Sequence, residues 1–210
     1  MALSQQIRSQ LSGLVLAGGN ATRMGGMDKG LLMLAGKPLV SRIVQALRTQ
    51  VADLFINANR NLEQYRALGY PIISDLIEGY QGPLAGMASG LRIAKTPYLL
   101  TAPCDSPFVP ADLAARLHAG LIDEKAEIAV AENQGRLEPV FALIDCGLLP
   151  SLLKYLDSGE RKIDRWYARH RMVAVNFSDN PRAFINLNTP EDLAVVEQQM
   201  KNSDAMRQAG

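Results

Sequence analysis

A glycine-rich segment near the N-terminus has residue types that bind phosphate. Residues 18–29 contain four glycines and two cations, Arg23 and Lys29, and follow a short apolar run. Glycines let the backbone approach an anion and present successive N–H groups, and the cations can neutralise phosphate charge. The segment has neither the Gly-Lys-Ser/Thr of a Walker A loop nor a G-x-G-x-x-G pattern. It therefore indicates phosphate binding, with a purely structural turn as the alternative.

A single carboxylate, Asp105, lies in a stiff loop after a second apolar run. Pro103 precedes it and Pro107 follows it. Magnesium at phosphate-transfer sites takes one or two protein carboxylates and completes its shell with water and substrate phosphates. Asp105 is therefore the candidate metal ligand, and its alternative role is to cap the following turn.

These residues need a scaffold, and apolar runs alternate with amphipathic segments along the first half of the chain. This alternation predicts a parallel sheet with right-handed helical crossovers. The predicted strands are 13–17, 54–56, 71–73 and 98–102, with helices from 38 to 51, 62 to 68 and 84 to 94 between them.

The second half of the chain is less regular. A hairpin through Asn133-Gln134-Gly135 predicts an antiparallel pair, so we expect an α/β protein whose sheet is mainly parallel and partly mixed. The predicted elements are helices 110–122, 148–156 and 163–168, strands 127–131, 139–144, 173–177 and 184–187, and a last helix capped by Thr189.

Polar residues end the four predicted parallel strands. In an open parallel sheet, ligands bind outside the carboxyl ends of the strands. The strands end at Gly18-Gly19, Asn57, Asp75 and Asp105, so these residues should share one edge whatever the strand order. Asp75 could instead form a turn, and Asn57 and Asn59 could hold an adjacent loop through hydrogen bonds between their side chains and the backbone.

Composition excludes several classes of protein. The charge is +1, from 22 Lys and Arg against 21 Asp and Glu, which is not the footprint of a nucleic-acid binder. No apolar run reaches the length of a membrane helix, and Cys104 and Cys146 are too few for a disulfide scaffold. We expect a cytoplasmic protein with buried, reduced thiols and one domain over 1–210, with flexible tails at 1–10 and 203–210.

Several motifs together resemble one family. From about residue 13 to 196 the chain resembles the molybdenum cofactor guanylyltransferases, which belong to the nucleotidyltransferase superfamily. The matching motifs are Leu16-Ala17-Gly18-Gly19, Arg23-Met24-Gly25-Gly26, Asp28-Lys29-Gly30, Asn57-Ala58-Asn59-Arg60, Gly82-Pro83-Leu84-Ala85-Gly86-Met87, Pro103-Cys104-Asp105 and Asn186-Leu187-Asn188-Thr189-Pro190.

The resemblance implies a three-layer Rossmann-like nucleotidyltransferase fold. It also implies transfer of GMP from GTP to the phosphate of the molybdenum-molybdopterin cofactor, with release of pyrophosphate. By the resemblance Asp105 would also hold Mg²⁺. For such a transfer we expect Arg23, Lys29 and Asp105 to be the catalytic residues, because the two cations can neutralise the leaving pyrophosphate. By the same resemblance the nucleotide would lie against Leu16, Ala17, Gly18, Gly19, Lys29, Asn57, Asp75, Gly82, Gly86 and Asp105, and the pterin against Arg161, Lys162, Asn186 and Asn188.

Other functions remain open from the residues alone. Base choice depends on a few pocket hydrogen bonds, so a molybdopterin cytidylyltransferase or a sugar-nucleotidyltransferase of the same fold is the nearest alternative. A non-catalytic nucleotide-binding cofactor carrier belongs to a different class. We expect a monomer or weak oligomer whose partners are GTP, molybdopterin and other molybdenum cofactor synthesis or acceptor proteins, with neither nucleic acid nor membrane among them.

Overall fold

A computed structural model describes residues 4–17, 28–77 and 82–208 of the chain. Its strands are β1 (Leu11–Leu16), β2 (Met33–Leu34), β3 (Lys37–Pro38), β4 (Asp53–Asn57), β5 (Ile72–Ile73), β6 (Tyr98–Pro103), β7 (Ile128–Asn133), β8 (Arg136–Asp145) and β9 (Met172–Asn176). Its helices are α1 (Gln5–Arg8), α2 (Leu39–Leu47), α3 (Leu62–Arg66), α4 (Pro83–Ile93), α5 (Leu113–Asp123), α6 (Leu149–Asp157), α7 (Ile163–Tyr167) and α8 (Pro190–Gln208).

In the described residues, seven strands form one sheet in the order β5-β4-β1-β6-β8-β7-β9. β1 pairs in parallel with β4 and β6, β4 pairs in parallel with β5, and β7 pairs in parallel with β9. β8 is antiparallel to both β6 and β7. The expected hairpin is the one formed by the consecutive strands β7 and β8. The prediction of a mainly parallel, partly mixed sheet is therefore confirmed.

Apolar side chains cover both faces of the sheet. Leu11 and Val15 of β1 enter a cluster with α2 and α5, whereas Leu14 enters a second cluster with α4, α6 and α7. Successive strand side chains point to opposite faces, so a continuous apolar run requires helices on both sides. The result is the expected three-layer arrangement. Among the described residues, no helix is both long and apolar enough to cross a membrane.

A small third cluster connects distant parts of the chain at the carboxyl edge of the sheet. Leu34 of β2 and Leu39 of α2 pack with Leu187, which precedes α8, and with Leu193 and Val196 in the first turns of α8. Burial of these side chains favours association of the two segments, since each aliphatic side chain removed from water contributes about 1.5 to 3 kcal/mol. The cluster thereby brings the segment before α8 next to the turn that precedes β2.

Two sequence expectations differ from the structure. Residues 184–187 do not form a strand. Phe184 has φ 66°, a left-handed backbone conformation that is incompatible with a strand, and its ring packs on Phe141 and Phe177. The terminal segments contain α1 and the last turns of α8, and Arg8 donates through Nε to the carbonyl of Val51 at 2.8 Å; their flexibility stays a prediction. Cys104 is buried as expected, but Cys146 is partly exposed; both are free thiols.

Candidate nucleotide and metal site

The carboxyl ends of four parallel strands lie side by side at one edge of the sheet. In the register, Leu16 pairs with Asn57 on one side and with Pro103 on the other, and Asn57 pairs with Ile73. With about 4.8 Å between neighbouring strands, the four ends span roughly 15 Å. The structure thus places Asp75, Asn57, the end of β1 and Asp105 in that order along the edge.

Lys29 lies between two segments that the sequence separates widely. Its Nζ is 3.6 Å from Oδ2 of Asp105 and donates a hydrogen bond to Oδ1 of Asn188. The side chains of Lys29 and Asp105 are 35% and 19% exposed, so both remain accessible to a ligand. A cation, a carboxylate and an amide therefore converge at the end of β6, where charge on a phosphate group could be neutralised.

Asp75 is held by two asparagines. Asn57 Nδ2 donates to Asp75 Oδ1 at 2.9 Å and Asn59 Nδ2 donates to Asp75 Oδ2 at 2.8 Å. The backbone N–H of Asp75 donates in return to Asn59 Oδ1 at 2.9 Å. The bracing role that the sequence left open for the two asparagines is thus observed, and it orients the carboxylate at the end of β5.

Gly86 packs beneath this network. It is buried in α4, and a Cβ at this position would lie 2.3 Å from Oδ1 of Asn57 and 2.5 Å from Cδ2 of Leu16. The glycine therefore allows α4 to approach the ends of β4 and β1. Gly82 is exposed at the N-cap of α4 with φ 77°, a left-handed conformation that favours glycine, and Pro83 begins the helix.

Asp28 and Tyr65 are functional candidates that the sequence reasoning missed. Asp28 is buried just before Lys29, and its carboxylate accepts from the hydroxyl of Tyr65 at 2.6 Å and from Nδ2 of Asn61 at 3.0 Å. Burial and the neighbouring acids raise the pKa of Tyr65, so it remains a hydrogen-bond donor. Asp28 belonged to a recognised motif, but its 37-residue separation from Tyr65 left no local signal.

The segment before α8 is ordered by its own cap. Thr189 Oγ1 accepts from the N–H of Asp192 at 3.1 Å, and Asp192 Oδ2 accepts from the N–H groups of Asn188 and Thr189, each at 2.9 Å. These backbone donors hold the pKa of Asp192 below its ordinary range. The predicted Thr189 cap is confirmed, and it fixes the backbone of Asn188.

Asn186 and its neighbour are anchored to the loop after β6. Asn186 Oδ1 accepts from the hydroxyl of Ser106 at 2.5 Å, and the N–H of Leu187 donates to the carbonyl of Asp105 at 2.9 Å. Two of the four candidate pterin residues, Asn186 and Asn188, are therefore adjacent to the site around Lys29 and Asp105.

The other two, Arg161 and Lys162, lie in the turn between α6 and α7. Arg161 Nη1 donates to the carbonyls of Leu156 at 2.7 Å and Glu160 at 2.6 Å. Lys162 is exposed, and its carbonyl accepts from the hydroxyl of Tyr155 at 2.8 Å. The structure thus anchors Arg161 to its own turn and leaves the Lys162 side chain in solvent.

The remaining candidates concern the loop after β1. Leu16 and Ala17 lie at the edge, where the N–H of Ala17 donates to the carbonyl of Asn57 at 2.8 Å. Gly18, Gly19 and Arg23 lie outside the described residues, so their predicted contact with phosphate stays a prediction.

A magnesium ion fits the donor set at Asp105. Within the described ranges, no group of three or more His, Cys, Asp or Glu side chains could hold a metal. A dedicated protein cage is therefore not formed there, but a partly exposed carboxylate beside the Lys29 ammonium group suits an ion held mainly by substrate phosphates. Asp105 is the residue that meets this requirement.

Known proteins share both the sequence and the fold. Residues 13–173 match the MobA-like NTP transferase domain family. The chain is 44% identical to a molybdenum cofactor guanylyltransferase of Shewanella pealeana, over 93% of this chain and 98% of the relative. It is 48% identical to one from Ralstonia nicotianae, over 88% and 95% of the two chains.

A solved structure supports the same classification. The crystal structure of molybdopterin-guanine dinucleotide biosynthesis protein A from Archaeoglobus fulgidus has a TM-score of 0.74 and 25% identity, covering 91% of this chain and 99% of that one. The fold and the edge site define a nucleotidyltransferase of the Rossmann-like class. Within that class, the chain belongs to the molybdenum cofactor guanylyltransferase family of MobA-like NTP transferases.

Proposed function

We propose that this protein transfers GMP from GTP to the phosphate of the molybdenum-molybdopterin cofactor, forming molybdopterin guanine dinucleotide and pyrophosphate. The observation that carries this proposal is the 44% identity to a named guanylyltransferase over 98% of that relative's length. The site supports it, because Lys29, Asp105 and Asn188 converge where two phosphate-bearing substrates could meet. The chain acts as one nucleotidyltransferase domain in the cytoplasm, where GTP is available.

The reaction requires positioning and charge neutralisation. An oxygen of the acceptor phosphate forms a bond to the α-phosphorus of GTP, while the bond from that phosphorus to the bridging oxygen of the β-phosphate breaks. The pyrophosphate leaves with the bonding electrons, so no covalent enzyme intermediate is needed. The acceptor is already anionic, and a general base is therefore unnecessary.

Residues at the end of β6 stabilise the developing charge. Lys29 carries its ammonium group next to Asp105, where it can pair with phosphate oxygens of the leaving group. Asp105 would hold Mg²⁺, which when bound supplies Lewis-acid neutralisation of the phosphates. In this proposal Arg23 and the N–H groups of the glycine segment add to the neutralisation.

The two substrates occupy different parts of the edge. The nucleotide extends over the ends of β1, β4 and β5, where Asn57 and Asp75 present fixed polar groups. The pterin lies toward Asn186 and Asn188, and Arg161 and Lys162 contribute from the turn before α7. Lys29, which donates a hydrogen bond to Asn188, then lies between the two substrates.

Nucleotide-dependent thermal stability is the first test. GTP with Mg²⁺ is expected to raise the melting temperature by roughly 5 to 10 °C at 100 times its dissociation constant, because ligand binding at that ratio stabilises by about 2.7 kcal/mol. GTP without Mg²⁺, CTP and ATP should give smaller shifts. A larger shift with CTP would indicate a cytidylyltransferase instead.

Turnover then separates an enzyme from a carrier. Release of pyrophosphate should begin only when the molybdopterin acceptor is added to protein with GTP and Mg²⁺. A protein that is stabilised by GTP but releases no pyrophosphate with active acceptor would be a non-catalytic nucleotide-binding carrier.

Replacing Gly86 by alanine is expected to weaken nucleotide binding. The new methyl group would overlap Oδ1 of Asn57, which must shift and release its hydrogen bond to Asp75. Loss of one oriented polar contact corresponds to an increase of about tenfold in the KM for GTP. Steady-state pyrophosphate release at varied GTP measures this change.

Gly90→Ala, one helical turn further along α4, is the matched control. Its Cβ would lie 2.7 Å from Cδ2 of Leu14 and 2.9 Å from Cδ2 of Leu99, so it crowds apolar side chains. It should lower the melting temperature to a similar extent without changing the KM for GTP. An equal KM increase in both variants would contradict a specific effect through Asn57.

A further inference from the structure

The buried carboxylate of Asp28 lies outside the reaction described above, although it directly precedes Lys29. Its side chain is 5% exposed and accepts hydrogen bonds from the Tyr65 hydroxyl at 2.6 Å, Asn61 Nδ2 at 3.0 Å and the N–H of Gly30 at 3.2 Å. Arg60 Nε is 3.7 Å from its second oxygen. We call Asp28, Asn61 and Tyr65 the Asp28 cluster.

The cluster holds one side of the turn that carries Lys29, and the chain before Asp105 holds the other. Lys29–Leu31 form a single 3-10 turn that is capped by Asp28. A Cβ on Gly30 would lie 2.6 Å from the Tyr65 hydroxyl and 3.2 Å from Cβ of Cys104, the residue before Asp105. The turn is therefore seated between the cluster and the end of β6.

Stability alone does not account for a polar cluster at this place. Burying a carboxylate is costly even when it is hydrogen-bonded, and apolar side chains of similar volume stabilise a core equally well. Directional hydrogen bonds can, however, restrict a short turn to one position. That restriction matters here because the Lys29 side chain must lie at a defined distance from Asp105.

We propose that the Asp28 cluster is a positioning device, which sets the Lys29 ammonium against Asp105 and the phosphates through the turn that Tyr65 and Asn61 restrain. The inference rests on the proposed function for the role of Lys29. Tyr65 and Asn61 are positioning residues, and they do not contact substrate.

A double-mutant cycle between Tyr65→Phe and Lys29→Ala tests the coupling. Tyr65→Phe is expected to lower kcat about tenfold while the KM for GTP changes less than about threefold, because the misplaced ammonium stabilises the leaving group less well. In the Lys29→Ala background the same substitution should lower kcat less than about twofold. Asn61→Gly should give the same changes in kcat and KM in the two backgrounds. Glycine accommodates the left-handed backbone at φ 51°, and residue 61 is exposed, so this variant removes the hydrogen bond to Asp28 without disturbing the core.

Tyr167→Phe is the matched control. Tyr167 is also buried, and its hydroxyl donates to the carbonyl of Pro139 at 2.8 Å, away from Lys29. Its loss should lower the melting temperature as much as Tyr65→Phe does and leave kcat unchanged in both backgrounds. An equal loss of kcat from Tyr65→Phe with and without Lys29 would overturn the proposal.

The same cycle can be read without turnover. The thermal shift produced by GTP with Mg²⁺ should fall by only about 1 to 2 °C in Tyr65→Phe when Lys29 is present, in line with the less than threefold change in the KM for GTP. It should be unchanged by Tyr65→Phe when Lys29 is alanine. Equal falls in both backgrounds would also overturn the positioning role. Coupled shifts across the four proteins of the cycle, with no pyrophosphate release by the wild-type protein in the presence of acceptor, would contradict the proposed function alone.

Discussion

Asp105→Ala is expected to lower kcat by a factor on the order of 10³ and to abolish the response to Mg²⁺. Removing a group that stabilises transition-state charge costs factors of this size, and Asp105 is the candidate ligand for the metal. The fold should persist, because the structural bond of Asp105 uses its backbone carbonyl, which accepts from Leu187 and which alanine retains. Pyrophosphate release at varied Mg²⁺, with melting temperature, measures both effects.

Asp53→Ala provides the control at the amino end of the parallel strands, opposite the carboxyl ends that form the site. Asp53 is exposed at the first position of β4, so its loss removes the same charge at a distance from the site. It should leave kcat and the Mg²⁺ response unchanged. An Asp105→Ala enzyme that retains the full rate and Mg²⁺ dependence would remove the metal assignment.

Lys29→Ala has the second-largest expected effect, a decrease in kcat on the order of 10²-fold. The ammonium group lies 3.6 Å from Oδ2 of Asp105 and donates a hydrogen bond to Asn188. Its removal takes away a cation that neutralises the departing pyrophosphate, and the Asn188 amide on the pterin side loses its hydrogen-bond donor. Lys29→Arg should recover part of the rate, because it keeps the positive charge but replaces the compact ammonium group with a planar guanidinium group. Steady-state kcat with saturating GTP and acceptor measures the series.

The control for Lys29 is Lys95→Ala. Lys95 is exposed between α4 and the amino end of β6, away from the carboxyl edge. Its loss changes the net charge equally and should not change kcat. If Lys29→Ala were no slower than Lys95→Ala, Lys29 would have no part in charge neutralisation.

The sequence determined the layers of the fold and most of the polar edge. Apolar runs at β1 and β6 require a sheet that is covered on both faces, and parallel strands must end at one edge, so Asn57, Asp75 and Asp105 were predictable without knowing strand order. The hairpin and the Thr189 cap were also predictable, because each depends on residues only a few positions apart in the sequence.

Tertiary structure alone decided which of these residues touch. Lys29 and Asn188 are 159 positions apart, and their contact depends on the third apolar cluster, which packs α8 against Leu34 and Leu39. Phe184 illustrates the same limit, since its apolar side chain suggested a strand but serves packing in a turn at φ 66°. Asp28 and Tyr65 meet only because the β1 to β5 region folds back on itself, and periodicity along the chain contains no information on such long-range contacts.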